Sequence, residues 1–282
     1  MKVLVAVDKG PESQMALGYA CHLLEHFDAD VHALHVMPDA VEMAADSFYA
    51  PFFSKTGLSE WIEAEELHIN EEVSKTCDTC LAGKVPCEPE IATGDPAEEI
   101  LERAHSGGFD LIVLGSHGRS SLRGLLLGAV HTKVLHHSKV PVLIVRDFRE
   151  IKRVLVAYRG TRCDQLALEF IGPLLTRRKP QITIMYVEGT DGDGAGETGQ
   201  ACVAEGRSTL GEWGHEPIVK TETGDFVEEV LKDVARSRYD LLVLGAYGNQ
   251  PAKYLRLLSD EALDLVRLTN RPVLVFRERD AE

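Results

Sequence analysis

The strongest constraint on the fold is that the sequence repeats itself. Residues 109–118 read FDLIVLGSHG, and residues 239–248 read YDLLVLGAYG. Val3–Val7 also aligns with Val154–Tyr158, at an offset of 151 residues. A chain of 282 residues is long enough for two domains that each bury a core. The repeat therefore predicts two domains of one fold.

The offset between the halves changes along the chain, and the change locates an insertion. It falls to 130 where Gly94-Asp95 aligns with Gly224-Asp225, and is 131 at Pro141–Val145 and Pro272–Phe276, so the first half carries about 21 extra residues between its second and third strands. The aromatic segment 39–59 is the natural candidate, and its role as a lid, a partner surface or a ligand wall stays open. We place the two domains at residues 1–149 and 150–282.

Hydrophobic periodicity indicates the architecture of each half. Short β-branched runs predict strands buried on both faces, at Val3–Val7, Val31–Val36, Leu111–Leu114 and Val140–Val145. Longer amphipathic stretches predict helices between them, at Ser13–Phe27, Glu60–Leu81 and Ala97–Ser106. Strands that alternate with helices predict an α/β fold in which each half is an open, mostly parallel five-stranded sheet with helices on both faces.

Capping signals support two of these helices. Asp95 is a good N-cap, Pro96 fits the first helical position, and Glu98 has the spacing of a capping box. Asp225 and Glu228 repeat the arrangement in the second half. The glycine-rich stretch 189–199 predicts a flexible loop.

Charge and composition exclude several kinds of partner. The net charge of −15 disfavours nucleic acid and anionic membranes, because phosphate backbones attract basic surfaces. No apolar run approaches the length of a membrane span, and the N-terminus enters a strand pattern directly. We therefore expect a cytoplasmic protein without a signal peptide. A local group of amide donors could still hold a small anionic ligand.

Three of the six cysteines lie close together, at Cys77, Cys80 and Cys87. We interpret them as reduced thiols rather than as a disulfide framework, given the size and expected location of the chain. The alternative is a zinc or redox site, but zinc prefers four nitrogen or sulfur ligands and no second pair lies nearby. His68, nine residues before Cys77, is one candidate for a fourth ligand.

A glycine pattern after the fourth strand is the main candidate for a binding site. Gly115, Gly118 and Gly128 form G-x2-G-x9-G, and a helix that ends near His137 follows. Glycines let a backbone approach phosphate closely, and a helix N-terminus adds amide donors and a favourable dipole. Ligands of open parallel sheets bind at the carboxyl ends of the strands, which brings Asp8 and Gly115 to one crevice. The alternative is that these glycines only turn the chain.

The motifs resemble those of the universal stress proteins. They are VLVAVD (3–8), LHV (34–36), TGDPAEEIL (93–101), DLIVLGSHG (110–118), GAV (128–130) and VPVLIV (140–145). The resemblance implies two tandem Rossmann-like domains of the adenine-nucleotide alpha-hydrolase-like type, with ATP or AMP in the first, and Mg²⁺ as an optional companion ion. The implied nucleotide-binding residues are Ala6, Val7, Asp8, Val36, Leu114, Gly115, Ser116, His117, Gly118, Arg119, Gly128, Ala129 and Val130.

Two departures from the family pattern bear on function. Ala129 stands where nucleotide-binding members have Ser or Thr, and losing that hydroxyl costs about 1.5–3 kcal/mol, or about one to two decades in affinity. In the second half Arg159 replaces Asp8, and Leu258 stands where the last glycine is expected. We expect nucleotide binding in the first half and a degenerate site in the second.

The sequence places no catalytic residue. The leading hypothesis is therefore a stress-response protein that binds an adenine nucleotide as a regulatory ligand. A slow ATPase at the same site and an interaction module without nucleotide remain alternatives. The resemblance also implies that the two halves pair like two subunits of a dimer, with the last strands Val140–Val145 and Val273–Phe276 at the junction. Further homodimerisation of the chain stays open.

Overall fold

The computed structural model describes residues 1–8, 10–37, 64, 67–71, 73–75, 77–78, 85–115, 127–189, 195–246 and 260–277. The strands are β1 (Lys2–Val7), β2 (Asp30–Met37), β3 (Cys87–Thr93), β4 (Leu111–Gly115), β5 (Val142–Val145), β6 (Arg153–Tyr158), β7 (Gln181–Glu188), β8 (Ile218–Thr223), β9 (Leu241–Gly245) and β10 (Val273–Phe276). The helices numbered here are α1 (Pro11–Leu24), α2 (Pro96–Ser106), α3 (Ala129–His137), α4 (Arg162–Leu175), α5 (Ala195–Glu212), α6 (Phe226–Arg236) and α7 (Asp260–Leu268).

The ten strands form one continuous sheet in the order β3-β2-β1-β4-β5-β10-β9-β6-β7-β8. Neighbouring strands within each half are parallel, which confirms the predicted α/β class. Within the described residues, no helix combines the length and apolar composition that a membrane span requires. The boundary between residues 149 and 150 stays a prediction, and it falls in the connection from β5 to β6.

Alternate residues of the strands face two separate hydrophobic cores. Val3 and Val5 belong to the core that packs beneath α1 and α4, whereas Leu4 belongs to the core beneath α2 and α3. Each core contains residues from both halves of the chain. Helices cover both faces of the sheet, so the side chains on both faces of each strand are buried. This burial explains why the strands read as continuous β-branched runs in the sequence.

The last strands of the two halves meet at the centre of the sheet. β5 and β10 pair antiparallel, with Ile144 opposite Val273 and Val142 opposite Val275. This register confirms the predicted position of the two strands at the junction. Two five-stranded sheets thereby become one, and neither β5 nor β10 is left as an unpaired edge.

Two buried arginines join the halves on either side of this strand pair. Arg146, directly after β5, donates from Nη2 to the carbonyl of Val266 near the end of α7, at 2.8 Å. Arg277, directly after β10, donates from Nη1 to the carbonyl of Leu135 near the end of α3. Their relative exposures are only 7% and 3%. Each half thus places a cation against the negative end of a helix from the other half.

The helix caps follow the sequence closely. Asp95 accepts a hydrogen bond from the Glu98 amide at 2.9 Å, and Asp225 accepts one from the Glu228 amide at the same distance, which confirms both N-caps. The Glu98 carboxylate, however, pairs with Lys133 rather than completing a capping box. α1 begins at Pro11 and ends at Leu24, so the prediction of 13–27 was shifted by two to three residues.

Two other sequence predictions were wrong. α5 begins at Ala195, inside the stretch expected to be a loop. Gly199 lies in this helix, where a Cβ would lie only 2.7 Å from the Tyr186 ring, so the absence of a side chain lets the helix pack closely on β7. Cys77 and Cys87 form a disulfide instead of remaining reduced. Residues 67–71, 73–75 and 77–78 of the predicted helix 60–81 are helical, and segment 39–59 lies outside the described residues.

Candidate nucleotide site

The switch point of the first half lies between β1 and β4. β1 pairs with β2 on one side and with β4 on the other, and Ala6 lies opposite both Leu34 and Leu114. β1 ends at Val7 and β4 ends at Gly115, so these strand ends share one edge of the sheet. This is the edge at which open α/β sheets bind ligands.

The strand residues expected to surround the nucleoside are therefore brought together. Ala6 and Val7 end β1, Leu114 and Gly115 end β4, and Val36 lies near the end of β2 opposite Ala92. Val7 is further fixed because its carbonyl accepts a hydrogen bond from His35 Nδ1 at 2.9 Å. Parallel packing alone is enough to assemble this part of the site.

Asp8 is exposed and lies directly after β1. Its amide donates to Ser13 Oγ at 2.8 Å, and Ser13 Oγ donates to its carboxylate Oδ1 at 2.5 Å. The Gly10 amide donates to the same Oδ1 at 2.8 Å. Ser13 is buried, and its two hydrogen bonds to Asp8 hold the carboxylate in place, so Ser13 needs no catalytic role to explain it.

The N-terminus of α3 supplies the donors that a phosphate would need. Gly128 is the N-cap residue with extended backbone angles, and Ala129 is the first residue of the helix. Within the described part of the chain, no side chain caps this terminus and its first turn holds no acidic residue. Gly128 and Ala129 are exposed and Val130 is half-buried. Free amides at the positive end of a helix are suited to an anion.

His131 joins the helix terminus to the strand tip. Its Nε2 lies 2.8 Å from the carbonyl oxygen of Gly115, and since a carbonyl only accepts, Nε2 carries the proton. Lys133, two residues further along α3, contacts Asp95 at 3.1 Å and Glu98 at 2.8 Å. Neither residue was among the predicted site residues, although their positions three and five residues after Gly128 place them in the first turns of α3.

The remaining predicted contacts are not described by the structure. Ser116, His117, Gly118 and Arg119 lie outside the described residues, so their roles stay predictions. For zinc, the disulfide already engages Cys77 and Cys87, and Cys80 lies outside the described residues. Among the residues that are described, no group of three or more His, Cys, Asp or Glu is arranged to hold a metal. The disulfide therefore argues against the zinc alternative for these cysteines.

The sequence profile of the universal stress protein family matches residues 1–146, just over half of the chain. The chain belongs to the universal stress protein family. A universal stress protein of Bacillus subtilis is 36% identical over 148 residues, covering 51% of this chain and 98% of the relative. One from Mycolicibacterium smegmatis is 24% identical over 299 aligned positions, covering 98% of this chain and 97% of the relative.

A solved structure agrees with the fold over the full chain. The crystal structure of a universal stress protein from Archaeoglobus fulgidus superimposes with a TM-score of 0.75 at 23% identity, covering 100% of this chain and 97% of the other. At this identity the likeness concerns the fold. The family inferred from the motifs is confirmed, and so is the predicted α/β fold class.

The second half of this universal stress protein builds the same strand ends with different side chains. Arg159 follows β6 where Asp8 follows β1, and Asp164 stands on α4 where Ser13 stands on α1. Arg159 Nη1 lies 2.9 Å from Glu261, and its Nη2 donates to the Gly245 carbonyl at 2.8 Å. Arg159 was recognisable from the sequence as a departure, but its carboxylate partners Asp164 and Glu261 were not.

Proposed function

We propose that this chain is a stress-response protein that binds an adenine nucleotide, ATP or AMP, in its first half as a regulatory ligand. One observation carries the proposal. His131 holds the N-terminus of α3, which no described side chain caps, against the tip of β4, at the switch point of the sheet. The strand ends would surround the nucleoside and the helix amides would face the phosphates.

The net charge of the chain and the side chains at the crevice bear on how such a ligand would be held. The chain carries a net charge of −15, so binding would depend on local donors rather than on a basic surface. Ala129 offers its backbone amide and no hydroxyl, which predicts weaker binding than a serine or threonine would give. For a triphosphate, the exposed Asp8 carboxylate is a suitable oxygen ligand for a Mg²⁺ ion that accompanies the nucleotide.

The regulatory role is the part of the proposal that rests on the sequence, which places no catalytic residue. The hydrogen bonds between Ser13 and Asp8 explain that pair as structural. Nucleotide would then act by favouring the conformation that binds it better. Cytoplasmic location is part of the same proposal, since that compartment supplies ATP and AMP, and the Cys77–Cys87 disulfide is then an exception among cytosolic proteins.

The test is binding of ATP and AMP to the purified chain by calorimetry, with mass spectrometry of any ligand released on denaturation. Ala129→Ser restores a hydroxyl donor and should tighten binding by about 10- to 100-fold. Gly128→Val adds bulk beside the phosphate position and should weaken binding strongly. A Cβ at Gly128 only reaches ordinary contact with His131 Nδ1, at 3.4 Å, so the fold should tolerate the change.

The alternatives give different results. A slow ATPase would release phosphate steadily from ATP, and Asp8→Ala would abolish that release. An interaction module would carry no nucleotide after purification and would show no heat of binding at millimolar ATP or AMP. If neither the wild type nor Ala129→Ser carries nucleotide or shows a heat of binding, the proposed function is excluded.

A further inference from the structure

Arg159 lies at the second switch point, between the tips of β6 and β9. Its side chain is 7% exposed, although it carries a full charge. The guanidinium contacts Glu261 on α7 at 2.9 Å, Asp164 on α4 at 3.5 Å and the Gly245 carbonyl at 2.8 Å. It also lies 5.0 Å from the centre of the Phe226 ring, within cation–π range. Four elements thus enclose one cation.

Asp164 connects the same two strand ends by accepting hydrogen bonds from backbone amides. Its carboxylate is fully buried and accepts the Gly245 amide at 3.0 Å, the Arg159 amide at 3.0 Å and the Thr161 amide at 3.2 Å. The side chain therefore bridges the ends of β6 and β9 directly. A Cβ on Gly245 would lie 2.5 Å from Asp164 Oδ1 and 2.9 Å from its amide nitrogen. Gly245 is glycine because Asp164 packs on it, a reason unrelated to phosphate.

The first half uses the equivalent positions in the opposite way. Asp8, in the place of Arg159, is exposed at the rim, and Ser13, in the place of Asp164, binds Asp8. The carbonyl of Gly115 accepts from His131 on α3, whereas the carbonyl of Gly245 accepts from Arg159. The second half has thus replaced a helix-to-strand contact with a side chain that lies in the crevice itself.

We propose that Arg159 is a built-in occupant of the second crevice and closes it to nucleotides, so that the chain takes up one nucleotide, in its first half. The stoichiometry rests on the proposed function, but the occupancy of the crevice does not. A phosphate that displaced Arg159 would meet two carboxylates, Asp164 and Glu261, and like charges at short range oppose binding. The two carboxylates therefore favour the guanidinium of Arg159 over an anionic ligand at this position.

The occupancy of the second crevice by Arg159 is tested without nucleotide, by thermal unfolding of the Arg159→Ala variant of the full chain. Ethylguanidinium at millimolar concentration should raise the unfolding midpoint of this variant progressively with concentration, because it refills the site in the folded state. Ethylammonium, which lacks the planar fork of donors, should not. Wild type and Arg238→Ala, which removes an exposed arginine, are the matched controls and should show no rise. Arg159→Ser is the second variant if Arg159→Ala does not fold.

The absence of a guanidinium-specific rise in a folded Arg159 variant would overturn the occupancy. Stoichiometry is measured separately, by equilibrium dialysis of labelled AMP and ATP against wild type. We expect saturation at one nucleotide per chain and loss of it in Gly128→Val; two per chain would overturn the closed second crevice. If no nucleotide binds while ethylguanidinium still raises the midpoint of Arg159→Ala, the proposed function fails and the occupied crevice stands.

Discussion

Replacing Arg146 by alanine should weaken the junction between the halves by a calculable amount. The buried guanidinium donates to the Val266 carbonyl at 2.8 Å, near the C-terminus of α7. A hydrogen bond from a charged donor contributes about 1.5–3 kcal/mol. Burial lowers the pKa of Arg146, so part of its interaction energy already offsets desolvation of the cation. We expect Arg146→Ala to lower the free energy of unfolding by about 1.5–3 kcal/mol.

Arg277 occupies the equivalent position in the other half and should behave alike. If the two arginines act independently, Arg146→Ala with Arg277→Ala should cost about 3–6 kcal/mol. That is a large share of the roughly 5–15 kcal/mol that stabilises a typical folded protein. Arg146→Met keeps an apolar stem of similar length, so its difference from Arg146→Ala separates the loss of packing from the loss of the hydrogen bond.

Urea unfolding followed by circular dichroism is a suitable assay. With a slope of about 3 kcal/mol per molar urea, each single variant should lower the midpoint by about 0.5–1 M. Arg238→Ala, at an exposed loop position, is the control and should stay within about 0.5 kcal/mol of wild type. If Arg146→Ala and Arg277→Ala behave like this control, the two arginines do not hold the halves together and the reasoning is refuted.

Three further predictions follow from packing, covalent linkage and charge. Gly245→Ala should destabilise the chain by about 1–3 kcal/mol, because its Cβ would overlap Asp164, whereas Gly211→Ala in α5 meets open space and should stabilise it by about 0.4–1 kcal/mol in the same urea assay. Reduction of the Cys77–Cys87 disulfide, which spans 10 residues, should lower the free energy of unfolding by about 2–3 kcal/mol. The measurement is a dithiothreitol-dependent shift of the urea midpoint, which the Cys77→Ser variant should not show. Although burial raises the pKa of Glu90, the hydrogen bonds from Arg103 and His32 outweigh it and hold that pKa below its ordinary value. The stability advantage of wild type over Glu90→Gln should therefore be full above about pH 4.5 and shrink as pH falls further; an advantage that is constant from pH 6 to 3 would contradict this assignment.

Much of the fold could be predicted because its signals are local. The β-branched runs, the N-caps Asp95 and Asp225, and the repeat at offsets of 151 and 131 each depend on residues close in sequence. The arginine pair at the junction continues the same repeat, since Arg146 and Arg277 follow the aligned strands at the offset of 131. Sequence shows that the two positions are equivalent, but not that each side chain reaches the other half.

The site divides in the same way. Ala6, Val7, Leu114 and Gly115 could be placed together because the ends of parallel strands must share an edge. His131, Glu261 and Asp164 could not, because their contacts depend on how α3, α7 and α4 rest on the sheet. The disulfide between Cys77 and Cys87 was missed for a related reason, since composition and expected compartment say nothing about two sulfur atoms being neighbours.

By itself, the sequence determined that the chain is two copies of one α/β unit and that only the first retains the glycine pattern of a phosphate site. The tertiary structure decided that the copies share one ten-stranded sheet and that Arg159 fills the second crevice. The physical reason is the distance along the chain between the residues that interact. Periodicity and caps reflect energies between residues a few positions apart, whereas Arg159 meets Glu261 across 102 positions of chain, where only the packed fold brings the charges within 2.9 Å.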